Sequence, residues 1–184
     1  MKFCSQCGNS VAKRIPEGDT YERHVCDDCG VIHYQNPKII VGCLPVYGDQ
    51  VLLCKRAIEP RLGFWTLPAG FMENGETTQH GALRETWEEA KAKPVIDDLY
   101  TLFNLPHINQ VYMFYLARLS EPEFASGDES LEVELFNEDE IPWDNLAFPV
   151  VNETLKYYFD DRKVGKFPIR VRDIERRPRK TPPV

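Results

Sequence analysis

The sequence predicts an α/β protein in two parts, a small metal-nucleated ribbon followed by one larger domain. Three observations predict it. Four cysteines fall in the first 29 residues as two C-x2-C pairs, and from residue 37 onward β-rich runs alternate with two helix-patterned segments. The length, 184 residues, is room for one ordinary domain plus an appendage. A composition of 42% apolar and 28% charged residues is enough to bury a core and excludes a wholly disordered chain.

Cys4, Cys7, Cys26 and Cys29 form two hooks separated by 18 residues, which is zinc-ligand spacing. Short hooks let four thiolates converge tetrahedrally, and a complete set of four leaves no open position for substrate or water. The Zn²⁺ is therefore expected to be structural. Gly8 and Gly30 follow the hooks and free each turn. A pair of disulfides or redox hooks is the competing reading, disfavoured because MKFCSQCGNS has no apolar run behind its lysine. His24 and His33 are surplus to the ligand set, with solvated or packing roles. Cys43 and Cys54 stand in apolar runs (IIVGCLPVY and VLLCKR) and read as small buried hydrophobes without a function. Residues 1–34 are too short and polar for a core of their own, so metal must supply much of their folding free energy.

Asn36-Pro37 marks the exit from the ribbon. KIIVGCLPVY and QVLLCKRA read as two β-rich runs joined at Gly48-Asp49, a hairpin signal. RLGFWTLPAG reads as loop. Residues 77–92 carry a helical pattern, with Leu83, Trp87 and Ala90 as the packing stripe, and Lys93-Pro94 stops that helix. LYTLFNLP, NQVYMFYLARL and SLEVELF are strand candidates. In the last of these, Leu131, Val133 and Leu135 alternate with Glu132 and Glu134. VVNETLKYYFDDR is a closing helix with Asn152 or Thr154 near its start. FPIRVRDIERRPRKTPPV, proline-broken and basic, reads as a mobile tail. The expected divisions are thus 1–34, 35–161 and 162–184.

Chemistry concentrates in GFMENGETTQHGALRETWEEAKA, from Gly70 to Ala92. At 3.6 residues per turn, Glu85, Glu88 and Glu89 share one face, opposite Leu83, Trp87 and Ala90. Like charges at i, i+3 and i+4 cost ~0.2–0.5 kcal/mol per pair, and a divalent cation removes that cost. Oxygen ligands without cysteine or histidine favour Mg²⁺ or Mn²⁺ over zinc. The plain alternative is a solvated acidic helix face partly neutralised by Arg84.

The whole string weighs against that alternative. Gly70, Glu76, Arg84, Glu85, Glu88 and Glu89 stand in the register of the Nudix box, so the chain resembles a Nudix hydrolase. Thr86 departs from that pattern where it has an apolar residue, and Lys91 where it has glycine; the second predicts an altered helix exit, with Pro94 as the stop. The resemblance covers residues 3–160 and extends to zinc-ribbon Nudix hydrolases through the cysteine ribbon, YQNPKIIVGCLP, LLCKR, GFWTLPAG and the glutamate-rich strand. Within that group the chain is most similar to the plant chloroplast FAD and ADP-ribose pyrophosphatases. Zinc-ribbon NADH pyrophosphatases carry a Ser-Gln-Pro-Trp-Pro-Phe-Pro stretch after the box where this chain has LYTLFNLPHINQ, which disfavours a strict NADH specialist.

The resemblance implies an α/β/α sandwich around a mixed sheet and Mg²⁺- or Mn²⁺-dependent hydrolysis of a nucleoside diphosphate derivative. FAD or ADP-ribose would yield AMP plus FMN or ribose 5-phosphate. By position it implies Glu85 and Glu89 as metal ligands, Glu88 next and the Gly70 carbonyl as a backbone ligand, with Arg84 and Glu76 pairing to hold the box rigid. Glu132 is the first candidate for general base, Glu129 the second and Glu88 the third. Phe71, ahead of Phe64 and Trp65, is the candidate to stack on a substrate ring. His107 follows a proline and reads as a surface histidine. A homodimer is also implied by the relatives.

Charge bears on partners. Residues 162–184 hold nine basic and two acidic residues, leaving 13 basic against 27 acidic before them within a net charge of −7. An acidic body disfavours broad binding to nucleic acid or anionic lipid. A zinc-ribbon and basic-tail nucleic-acid-binding module is therefore the weaker alternative of another class. Removal of a nucleotide cap from RNA, or hydrolysis of free NADH, would use the same active site. With no apolar stretch of the ~18–20 residues that span a bilayer, a soluble, cytoplasmic protein without a membrane partner is expected.

Overall fold

The structure, a computed structural model, describes residues 1–175. It divides into two compact units, Met1–Pro37 and Lys38 onward. The first holds a three-stranded antiparallel sheet, β1 (Val11–Arg14), β2 (Arg23–Cys26) and β3 (Ile32–His33), in that order. Its buried residues are Cys4, Pro16, Val25 and Cys26, so half of what it buries is cysteine.

The second unit is a mixed sheet between helices. Its strands are β4 (Lys38–Tyr47), β5 (Gln50–Arg56), β6 (Trp65–Thr66), β7 (Ala69–Phe71), β8 (Val95–Leu105), β9 (Gln110–Arg118), β10 (Ser130–Phe136) and β11 (Arg170–Asp173). The order across the sheet is β10-β5-β4-β9-β8-β11. β4 runs parallel to β9 and β11 parallel to β8, with the remaining pairs antiparallel. Residues alternate between the faces of a strand. On β4, Val41 and Cys43 pack with Ala82 of α1 (Thr78–Ala90), while Leu44 and Val46 join Val151, Leu155 and Phe159 of α2 (Pro149–Val164). A strand covered on both faces reads as a continuous apolar run, which KIIVGCLPVY is.

The Gly48-Asp49 turn joins β4 to β5, with Tyr47 opposite Gln50. Beyond Val46 and Val51 the two strands part. The segment expected to be loop fills the gap: β6 pairs with β5 and β7 with β4. Two- and three-residue strands interrupted by Leu67-Pro68 carry no periodicity, hence the miss.

The expected tail is also corrected. α2 continues through Val164 and ends at Gly165 in the left-handed conformation, and Arg170–Asp173 then forms the sheet's edge strand. An anchor in the helix holds it: buried Asp161 accepts from Tyr100 Oη at 2.8 Å and is gripped by the Arg170 guanidinium. The proline-broken, basic segment carries no periodicity, yet its Arg170 satisfies a buried carboxylate. The second unit therefore extends past residue 161, and the rest of the basic tail, residues 176–184, lies outside the described residues. α2 begins at Pro149, whose fixed φ suits a first helical turn, and not at Asn152 or Thr154. Thr154 is buried inside the helix and donates to Val150 O.

Candidate active site

The carboxylates are carried by α1. Thr77 caps it, its side chain accepting from His80 N–H. At the other end Lys91 itself takes the left-handed conformation (φ 50°) and donates its N–H to Trp87 O at 3.0 Å. The exit is the ordinary one without its glycine, and Pro94 is not needed for it. Thr86 is fully buried where the pattern has an apolar residue, its hydroxyl satisfied by Ala82 O at 2.7 Å.

The inward face differs from the expected stripe. Trp87 is 44% exposed, with the ammonium groups of Lys91 and Lys93 over its ring. Ala90 of the expected stripe is buried and Leu83 packs against the Val41 and Cys43 cluster, while Gly81, Ala82, Thr86 and Glu89 face in where Trp87 does not. Small residues let the helix lie close to β4, and that approach carries two carboxylates out of water: Glu89 is 7% exposed and the Glu85 side chain 12%. A Cβ on Gly70 would lie 2.3 Å from Glu85 Oε2, so only glycine permits β7 to approach this carboxylate. Glu89 Oε2 accepts the Ala69 N–H at 3.3 Å.

Burial, reinforced by the charge of Glu85, pushes the Glu89 carboxyl up to about 8, and burial also raises Glu85. Glu76 moves the other way, to about 2, because the Arg84 guanidinium grips it. All five N–H groups of Arg84 are engaged. Two go to Glu76 at 2.8 and 3.0 Å, one each to Glu85 and Glu88 at 2.7 and 3.0 Å, and one to Phe71 O at 3.1 Å. Arg84 and Glu76 thus tie helix to loop, and Arg84 has no donor left for a substrate.

The base candidates separate clearly. Glu132 does not face the cluster: it pairs with Lys55 Nζ at 2.8 Å, half exposed. A bulge at Leu131 explains this, since Ser130 pairs with Arg56 but Glu132 already pairs with Lys55. Glu132 then alternates with Val133 and Leu135, which pack beneath α1, and so shares the side of Phe136, which meets Trp65 edge-on. Simple alternation in the sequence has no signal for the extra residue. Glu129, by contrast, lies in the field of both Glu85 and Glu89. Its loop docks on the end of α1 through Ala125 N–H to Ala90 O and Gly127 N–H to Glu89 O. A Cβ at Gly127 would meet Glu88 O at 1.7 Å, so a glycine is required for that docking. Gly127 escaped the sequence reading because one glycine in a polar loop carries no distinguishing pattern.

Among the aromatic candidates, Phe71 is 48% exposed beneath the Lys38 ammonium, 4.5 Å from its centroid. Trp65 is a core residue, and Phe64 lies under Arg61. His107 is exposed.

Two donor sets fit metals. The cysteine sulfurs lie 3.7 Å (Cys4–Cys29) and 3.5 Å (Cys7–Cys26) apart, and all four fall within 4.8 Å of one another. Zinc with ~2.3 Å bonds makes a tetrahedron with edges of about 3.8 Å, whereas a disulfide needs about 2.05 Å. Both hooks make the same turn, Gly8 (φ 78°) and Gly30 (φ 72°) each donating to the carbonyl of the first cysteine at 3.0 Å. His33, expected to be surplus, has Nε2 3.3 Å from Cys4 Sγ, a partner for the sulfur and not a fifth ligand. Among the described residues no three carboxylates converge as the sulfurs do, and Arg84 bridges Glu85 and Glu88. That oxygen-only set fits Mg²⁺, which takes one or two carboxylates directly and keeps several waters.

The fold, a mixed sheet between helices, defines the class of hydrolase. The Nudix domain model matches residues 36–159, and the model described as Nudix N-terminal, a zinc ribbon, matches residues 2–35. The chain belongs to the Nudix family and is a Nudix hydrolase with an N-terminal zinc-ribbon module. The crystal structure of a Nudix hydrolase from Nitrosomonas europaea is similar throughout, with 56% identity, a TM-score of 0.92, and coverage of 96% of this chain and all of that one. The ADP-ribose pyrophosphatase of Methanocaldococcus jannaschii is 29% identical over 121 residues, 62% of this chain and 69% of that protein. The NAD-capped RNA hydrolase NudC of Chromobacterium violaceum is 25% identical over 177 residues. That match takes in 95% of this chain but only 61% of the NudC protein's length. Among the described residues no helix is long and apolar enough to cross a membrane.

Proposed function

We propose that this chain hydrolyses the diphosphate of a nucleoside diphosphate derivative in a Mg²⁺- or Mn²⁺-dependent reaction, with FAD or ADP-ribose as substrate and AMP plus FMN or ribose 5-phosphate as products. The observation that carries the reading is the burial of Glu85 and Glu89 beside Gly70: Glu85 shares Arg84 with Glu76 and Glu88, and Glu89 makes no ion pair among the described residues, so two carboxylates withdrawn from water share one already saturated cation. Glu85 and Glu89, with Glu88 and the Gly70 carbonyl, would hold the metal. When bound it would neutralise the bridging phosphates and orient the attacking water. Glu129 takes the water's proton as the new P–O bond forms and the bridging P–O bond breaks. Arg84 and Glu76 keep the carboxylate-bearing turn in place without touching substrate. ADP-ribose is supported by the Methanocaldococcus relative, and FAD by the resemblance to the plant chloroplast enzymes. A homodimer in the cytoplasm belongs to the same reading.

The NudC similarity across 95% of the chain favours a second substrate class, NAD(H) or NAD-capped RNA, at the same site. Chromatography of reactions offered FAD, ADP-ribose, NADH and NAD-capped RNA, each with and without Mg²⁺, tests both. Metal-dependent AMP from FAD or ADP-ribose supports the first, turnover confined to NADH or capped RNA replaces it with the second, and no turnover of any refutes both.

Glu129→Gln is expected to lower kcat on the order of 10²–10³-fold, as removal of a general base does, while Glu132→Gln stays within about threefold. Equal effects, measured under saturating Mg²⁺, would reverse the assignment.

A further inference from the structure

Among the described residues one buried side-chain oxygen lacks a hydrogen-bond partner, the Ser130 hydroxyl. Ser130 is 8% exposed and its backbone is fixed. Its N–H donates to Gly127 O at 3.1 Å, and the preceding carbonyl, of Glu129, accepts Ala57 N–H at 2.8 Å. A hydroxyl withdrawn from water costs stability unless it is paired, so a fixed and unpaired one calls for a reason.

Register fixes the side of the sheet it occupies. Residues opposite each other on antiparallel strands share a face, and so do residues two apart on one strand. Ser130 lies opposite Arg56, and Cys54, two residues before Arg56 on β5, lies opposite Val133, which packs beneath α1. The bulge at Leu131 brings Ser130 and Val133 to the same side although they are three apart. Cys54 registers both of its neighbours there: burial and then the charge of Glu89 push its thiol up, and the Ser130 hydroxyl draws it back. Gly127, whose carbonyl accepts from Ser130, donates its N–H to Glu89 O at 2.9 Å. The loop that leads into Ser130 is thus docked on the turn of α1 that carries Glu89.

Glu89 is short of donors. Its Oε2 accepts the Ala69 N–H at 3.3 Å, and the carboxylate makes no ion pair among the described residues. A carboxylate has about four acceptor sites, and one that ligates a metal is ordinarily oriented by hydrogen bonds from beyond the coordination sphere. An unpaired donor and an under-supplied acceptor therefore lie on one side of β5, beneath one helix turn. Rotation about χ1 moves the hydroxyl between staggered positions without moving the strand.

We propose that Ser130 is a positioning residue for Glu89, its hydroxyl donating to the carboxylate and fixing the orientation in which that carboxylate meets the divalent cation. This rests on the hydrolase reading above and deepens it, adding to the acidic helix a residue from the far strand of the sheet.

Mn²⁺ binding to the zinc-loaded, full-length protein, followed by electron paramagnetic resonance, tests this without turnover. Ser130→Ala is expected to weaken Mn²⁺ binding about 10-fold, and to leave Tm in EDTA unchanged or higher because an unpaired buried hydroxyl adds nothing to the fold. Ser130→Thr and Ser130→Val share a shape and differ in the hydroxyl, so the threonine variant should bind Mn²⁺ about fivefold or more tightly than the valine variant. The Mg²⁺ concentration for half-maximal activity should shift with these affinities, while KM for the nucleotide at saturating Mg²⁺ stays within about threefold. Unchanged Mn²⁺ affinity in Ser130→Ala, or equal affinities in the threonine and valine variants, overturns the proposal. A wild-type protein that binds Mn²⁺, loses it in Glu89→Gln and hydrolyses none of the four substrates refutes the hydrolase reading alone. Mn²⁺ binding that Glu89→Gln leaves untouched refutes the metal assignment, and the role of Ser130 with it.

Discussion

Glu89→Gln is expected to abolish turnover and, at the same time, to make the metal-free protein more stable at neutral pH. The two effects share one cause. Glu89 is buried beside Glu85, and its carboxyl is pushed up to about 8. In the unfolded chain a glutamate titrates near ~4.3. Between these values the folded protein keeps a proton that the unfolded chain releases, so stability is full below the lower value and falls as pH rises through the window. The slope is about 1.4 kcal/mol per pH unit, a loss of up to about 4 kcal/mol between pH 5 and pH 8.

Glutamine is neutral at every pH, keeps the Ala69 N–H bond through its amide oxygen, and removes the slope. In EDTA, wild-type Tm should therefore fall from pH 5 to pH 8 while that of Glu89→Gln stays flatter and lies higher at pH 8. Adding Mg²⁺ should raise the wild-type Tm and move the variant much less, because the variant has lost one of the carboxylate ligands for the ion. The kcat of the variant should drop on the order of 10³-fold or more. Full activity would remove Glu89 from the metal site, and an unchanged pH slope would show that this carboxyl is not the group titrating.

The carboxylate set could be read from the chain because helical geometry fixes which residues share a face: Glu85, Glu88 and Glu89 do. Which way that face points could not. Trp87 is the largest apolar residue of α1 and belongs to the expected packing stripe, but Gly81 and Ala82 decide the orientation by allowing close approach to β4, and Trp87 is covered from outside by two lysines. Small residues carry little hydrophobic signal and large steric consequence. A similar limit applies to Glu132, where one bulge residue shifted the partner from which its direction would be inferred. Gly127 lies far from the box in sequence and meets it only through tertiary contacts, so local patterns contain nothing about it. β4 and the hairpin at Gly48-Asp49, by contrast, depend on local rules and matched their expected positions. The ribbon's four cysteines converge as their spacing requires.

That convergence sets the other large effect, in the ribbon. A unit that buries only Cys4, Pro16, Val25 and Cys26 has almost no apolar core with which to offset the conformational entropy of its 37 residues. A structural zinc site supplies roughly 10 kcal/mol or more in small domains, so in this unit zinc binding and folding are expected to be one equilibrium. Cys4→Ser removes a buried ligand that also accepts Gln6 N–H and contacts His33, so three sulfurs remain and the tetrahedron stays open. The expected result is loss of stoichiometric zinc by elemental analysis, with proteolysis and amide exchange spreading through residues 1–37 while β4, β5 and β9 remain protected. Chelation of the wild-type protein should produce the same pattern, reversible on return of zinc. A Cys4→Ser protein that keeps one equivalent of zinc would eliminate this sulfur as a ligand. A ribbon that stays protected after chelation would show that hydrogen bonding in β1, β2 and β3 suffices without the ion.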